Sequence, residues 1–200
     1  LSLTISLAAH IQRLVSLDAQ TRQLVELRTP VQRVPRRERV GPTDAAAYVE
    51  SGLLRLVSLD PEGKERTLDF ALEGWWIADW NSFFQERPKA SPLDMYYLEA
   101  VEESRIVCLT NAHYTALIEQ VPALERYFRA VFQKIAAVNQ RRVHLNAVHT
   151  GEAMYLNFAR SYPEFLQRIP QYMLASFLGL TPEFLSKIRG KSASPRSFLN

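Results

Sequence analysis

Cysteine occurs once in the 200 residues, at Cys108. A lone cysteine excludes an internal disulfide, and it excludes a cysteine-ligated zinc or iron–sulfur site built from one chain. Its surroundings, Ile106-Val107-Cys108-Leu109, are apolar and point to a buried, structural thiol. Histidine is scarce as well. His10, His113, His144 and His149 show no metal-ligand spacing such as His-Glu-x-x-His. His144 and His149 read as surface or capping residues, with pH sensing and haem ligation as the sharper alternatives. There is no phosphate-binding glycine loop, no Gly-x-Ser-x-Gly and no spaced His/Cys nucleophile. An enzyme is therefore not expected, and neither is a cofactor or a metal. No apolar run approaches about eighteen residues and no secretory leader pattern opens the chain. A soluble, cytoplasmic protein without a membrane partner is the expectation. The first residue is Leu1, and further residues are expected before it in the natural chain.

What is present is a substantial apolar fraction, 47%, enough to build true cores. The net charge of +3 says little by itself, but its distribution says more. Residues 121–200 carry 11 Lys/Arg against 4 Asp/Glu, while residues 1–120 carry 13 against 17. An acidic front and a basic back suit a sensor joined to a nucleic-acid binder. A merely solvated basic surface is the plain alternative.

Residues 3–15 and 16–25 read as two short helices, the second capped by Ser16 or Asp18. Between Thr29 and Val40, valines alternate with Arg33, Arg36, Arg37 and Arg39, giving short strands with a solvated basic face. From 45 to 110 short strands alternate with turns. Tyr48–Leu59 pairs around Gly52, and Asp60-Pro61-Glu62-Gly63 is a turn. Asn81 to Pro92 reads as loop, and two more strands flank Glu102-Glu103-Ser104. Even spacing of short strands predicts an antiparallel β-roll of jelly-roll type. Trp75, Trp76 and Trp80 read as core and rim packing. From Val121-Pro122 to about Val148 one long helix is predicted. Its Leu124, Phe128, Val131, Ile135, Val138, Arg142 and Leu145 are spaced as a heptad seam interrupted by one arginine. A partner helix fits such a seam, and so does packing on the helix's own roll.

The last fifth carries the sharpest pattern. Met173, Leu174, Phe177 and Leu178 form a helical apolar face that Gly179 ends. Thr181 is a natural N-cap, Pro182 sits at the first helical position and Glu183 in the first turn. Phe184, Leu185 and Ile188 are expected to face inward, leaving Glu183, Ser186, Lys187 and Arg189 outside. That is a helix-turn-helix, although two core helices of an all-α domain share the spacing. After Gly190 a polar tail is expected.

Residue by residue, Ala175, Gly179, Thr181-Pro182-Glu183, Lys187 and Ile188 resemble the helix-turn-helix of the catabolite-activator (CRP/FNR) family. The run from Tyr162 to Arg189 is similar to the branch of that family common in Bacteroidetes. The resemblance implies an α+β fold in three parts: a β-roll sensor over 1–120, a dimerisation helix over 121–148 and a helix-turn-helix domain over 149–200. It implies a homodimer through Leu124, Phe128, Val131, Ile135, Val138, Arg142 and Leu145, bound to double-stranded DNA at a pseudo-palindromic operator. Thr181, Glu183, Ser186, Lys187, Arg189 and Lys191 take the DNA-binding places, with Pro182 departing from the family's usual Arg. RNA polymerase and an unidentified small-molecule effector are the further partners it admits. In relatives that bind cyclic nucleotides, a Gly-Glu pair and an Arg-Ser/Thr pair hold the ribose and the phosphate. Here those places look like Ala78-Asp79 and Asp94-Met95. An aspartate facing a phosphate repels it, so cyclic AMP and GMP are not expected to bind in the usual way. A ligand-binding or protein-interaction module that has lost DNA binding is the other reading.

Overall fold

Residues 45–49 show the logic of the N-terminal half. Ala46 and Tyr48 face one way, Ala47 and Val49 the other, and all four are buried. A strand buried on both faces must lie inside a layered structure. The computed structural model describes residues 4–42, 44–60, 62–84 and 95–193 and supplies those layers. It divides into two compact units, Leu1–Ala136 and Ala137–Asn200.

The first unit is a β-roll with helices on one face. Its strands are β1 (Val31–Val34), β2 (Arg39–Val40), β3 (Ala45–Ser51), β4 (Leu54–Leu59), β5 (Glu65–Ala71), β6 (Trp76–Ile77), β7 (Met95–Ala100) and β8 (Ser104–Thr110). They form two four-stranded antiparallel sheets, ordered β1-β8-β3-β6 and β2-β7-β4-β5. The space between the sheets is filled by Val34, Val40, Val49, Leu54, Ala71, Ile77, Leu98 and Ile106 among others, so every strand contributes. The expected jelly roll is present, and with the helices below the fold is α+β.

Helices α1 (Leu7–Gln12), α2 (Ala19–Arg28), α4 (Asn111–Gln120) and the start of α5 (Leu124–Val148) cover the outer face of the β3/β8 sheet. Ser6, Asp18 and Thr110 cap α1, α2 and α4 through their side-chain oxygens. Of the two caps proposed for the second helix, Asp18 is the one used, accepting the Thr21 N–H at 2.7 Å. The loop expected from Asn81 is corrected at its start. Residues Trp80–Phe83 form one helical turn, α3, because Asp79 accepts the N–H groups of Asn81 and Ser82. Residues 85–92 of that expectation lie outside the described residues.

Three features fasten the roll. Gly52 turns β3 into β4 with φ of +106°, and a Cβ there would lie 2.7 Å from the Ser104 Cα. The approach lets the Leu53 N–H donate to Ser104 Oγ at 3.2 Å. Arg55, only 4% exposed, donates to Glu99 at 2.9 Å and to Glu65 at 2.6 Å. Burial opposes its charge, but those carboxylates more than offset burial and hold the guanidinium protonated. Tyr127, at the start of α5, accepts the Trp76 indole N–H at 2.9 Å and is 2.8 Å from His10 Nδ1. Cys108 is partly covered, and burial pushes its thiol up to about 11, in keeping with a structural role.

The second unit is helical: the end of α5, then α6 (Gly151–Ser161), α7 (Pro163–Arg168), α8 (Gln171–Phe177) and α9 (Pro182–Ala193). Its core is drawn from Tyr155, Phe158, Phe165, Ile169, Met173, Leu174, Leu178, Leu185 and Ile188. The boundary between the units falls within α5, which serves both.

Candidate nucleic-acid interface

The turn between α8 and α9 is built from its hydrogen bonds. Pro170 precedes α8 as its cap residue, one position earlier than the first helical residue. Leu178 N–H closes the helix on Leu174 O, and Gly179 follows with φ of +67°, a conformation open cheaply only to glycine. Leu180 N–H then returns to Ala175 O at 2.8 Å. Ala175 is fully buried. Thr181 caps α9: its Oγ1 accepts the Phe184 N–H at 3.2 Å and its carbonyl the Leu185 N–H at 3.0 Å. The side chain of Gln171 ties the two helix starts together by donating to Pro182 O at 3.3 Å.

Leu185 and Ile188 point into the core, with 0% and 2% exposure. Thr181, Glu183, Ser186, Lys187 and Arg189 are all exposed. Lys191 lies on the same helix, but its side chain is outside the described residues. Two expectations are corrected here. Phe184 does not face inward; it is 44% exposed. At 100° per residue it stands at the flank of the arc set by Leu185 and Ile188, a position the helical spacing alone should have revealed. And α9 does not end at Gly190 but continues to Ala193, so the polar tail starts later. The roles of Gln171 and Gly151 were also missed. Gly151 opens α6 directly against the tip of Leu180, whose Cδ2 would clash with any Cβ there.

The seam of α5 is divided. Leu124 and Phe128 are buried in the core of their own roll, beside Tyr48, Trp76 and Val107. Val131 packs partly against the same cluster. Ile135 and Leu145 are half-buried, and Val138 is 45% exposed. The arginine of the seam, Arg142, lies 5.7 Å from the ring centre of Phe177 on α8, a cation–π contact. The exposed apolar stretch thus starts after Phe128.

The ligand places in the roll come out as follows. Ala78 is buried in the cluster beneath the helices. Asp79 spends both carboxylate oxygens on α3, accepting also from the Ser82 hydroxyl. Met95 opens β7 opposite Leu59, and its side chain is outside the described residues, as is the whole of Asp94. No group of three or more His, Cys, Asp or Glu able to hold a metal occurs among the described residues. No described helix is long and apolar enough to cross a membrane.

Solved structures share this arrangement of roll, long helix and helix-turn-helix. The fold is that of the CRP/FNR regulators. The chain is similar to a variant of CooA from Carboxydothermus hydrogenoformans, with a TM-score of 0.65 at 14% identity over 94% of this chain and 85% of that one. It is similar to the c-di-GMP-responsive global regulator CLP of Xanthomonas campestris, with a TM-score of 0.64 at 16% identity over 88% and 91%. It is also similar to the catabolite activator protein of Thermus thermophilus, with a TM-score of 0.51 at 20% identity over 92% and 86%. No protein-family model matches the chain, and no curated protein matches it. The likeness to CRP/FNR regulators is one of fold.

Proposed function

We propose that this chain is a DNA-binding transcription regulator, acting as a homodimer on a pseudo-palindromic operator and catalysing no reaction. The observation that carries the reading is the α8–α9 pair. A capped, glycine-turned second helix presents Glu183, Ser186, Lys187 and Arg189 to solvent on a unit whose charge is strongly positive. A helix of this kind fits the major groove of B-DNA. Lys187, with Ser186 and Glu183, reads base edges. Arg189, Lys191 and the Thr181 end of α9 hold phosphates. Pro182 offers no side-chain donor, so the first helical position contributes shape and not a base contact.

The apolar positions of α5 beyond Phe128, exposed Val138 with half-buried Ile135 and Leu145, support pairing of two copies through that helix. Two-fold symmetry then spaces two copies of α9 by about one DNA turn, ~34 Å. The roll works without a cyclic nucleotide bound in the usual way. Its interior is occupied by its own side chains, and Asp79 is committed to capping α3. The reading places the protein in the cytoplasm, with RNA polymerase and an unidentified effector as its further partners.

The test is binding of the purified chain to fragments of its own genome at several salt concentrations. Tight, salt-sensitive binding to a few fragments sharing a pseudo-palindrome is expected. Weak binding with no preferred fragment at any salt concentration would overturn the reading.

A further inference from the structure

The first turn of α9 carries no cation. Its residues are Pro182, Glu183 and Phe184, and the large side chain left in solvent there is the phenyl ring of Phe184. The ring is not loose. Gly151, at the start of α6, lets Leu180 and Phe184 pack over bare backbone: a Cβ built on Gly151 would meet Phe184 Cε1 at 3.5 Å. One edge of the ring is thus braced while the remainder stays open. Its neighbours along the helix, Glu183 and Lys187, are exposed too. An apolar surface fixed within a polar, DNA-facing helix turn matches one feature of the major groove, the C5-methyl group of thymine.

We propose that Phe184 reads thymine by apolar contact with its methyl group, and so sets a base preference that the polar residues of α9 do not. The inference rests on α9 being the DNA-reading helix. Removing one buried methyl contact weakens binding about fourfold, so losing it in both half-sites weakens binding by about fifteenfold.

The probe is the tightest duplex recovered from a random library by the purified full chain. Each thymine in it is replaced in turn by uracil, which removes only the methyl. The expected result is one symmetric pair of positions at each of which uracil weakens binding about fourfold, and about fifteenfold when both are replaced. In Phe184→Ala the same duplex binds more weakly and the uracil penalty at that pair disappears. In Phe184→Leu, which keeps an apolar contact and guards against a folding artefact, part of the penalty remains. A uracil penalty that persists unchanged in Phe184→Ala, or no sensitive thymine at all, overturns the inference while leaving the regulator reading intact. A library that yields no preferred duplex overturns both.

Discussion

Replacing Arg55 by methionine tests the account of the roll most severely. The guanidinium is 4% exposed and bridges β5 and β7 by holding Glu65 and Glu99. Methionine fills most of the volume but leaves Glu99, 12% exposed, without its counter-charge. Breaking a buried ion pair from one side costs about 3–5 kcal/mol. Glu65, with a side chain 46% exposed, can turn to water, so the low end applies, about 3 kcal/mol. For a unit of this size that lowers the unfolding midpoint by about 10 °C. Trp75, Trp76 and Trp80 all lie in the roll, so tryptophan fluorescence, excited selectively, follows the first unit alone. Adding Glu99→Leu removes the stranded carboxylate and should restore at least half of the loss. Acid narrows the gap. Glu65 is held below the usual carboxylate range by the Tyr97 hydroxyl and by Arg55. Its contribution is therefore present above its unfolded value and is lost as pH falls through the folded one. A loss under about 1 kcal/mol, or no relief from the second change, would refute the reasoning, since both follow from the desolvation of the pair.

Other outcomes follow from the same coordinates. Lys187→Ala should relax sequence choice, whereas Lys191→Ala should weaken all sequences alike and reduce the salt slope by about 1; equal loss of specificity in both would contradict their roles. Val138→Glu should convert a dimer to monomer in sedimentation, because Val138 is 45% exposed in the single chain, and an unchanged mass would exclude pairing there. Calorimetry with cyclic AMP or cyclic GMP should give no micromolar binding, and a micromolar constant for either would contradict the filled roll. Cys108 should resist alkylation at pH 7, and its rate should climb with pH toward about 11; labelling at the speed of a free thiol would contradict its burial.

The roll was legible in the sequence because turns punctuate it. Gly52, Gly63 and the Glu102–Ser104 corner sit where the strands reverse, and alternation within β3 carries the rest. The helix-turn-helix was legible for a similar reason, since Gly179, Thr181 and Pro182 each act through the backbone. What escaped were an angle on one helix face, a local cap and a claim made by distant packing. Phe184 has the composition of a core residue, and only its angle relative to Leu185 and Ile188 leaves it outside. The turn α3 hangs on one aspartate cap within a stretch without apolar periodicity. The seam of α5 is continuous in spacing, yet its first two positions are claimed by the roll, which a heptad count cannot register.

Each of the eight strands sends a side chain into the interior of the roll. A barrel packed that way is its own plug. A regulator with an empty barrel takes orders by filling it, and its melting temperature rises with the dose of messenger. On the regulator reading proposed above, the side chains between these sheets predict a roll whose firmness does not depend on a cyclic nucleotide. On that reading an effector is expected to act from outside this packed cluster. The place to look for it is the skin of the roll and the flanks of the long helix.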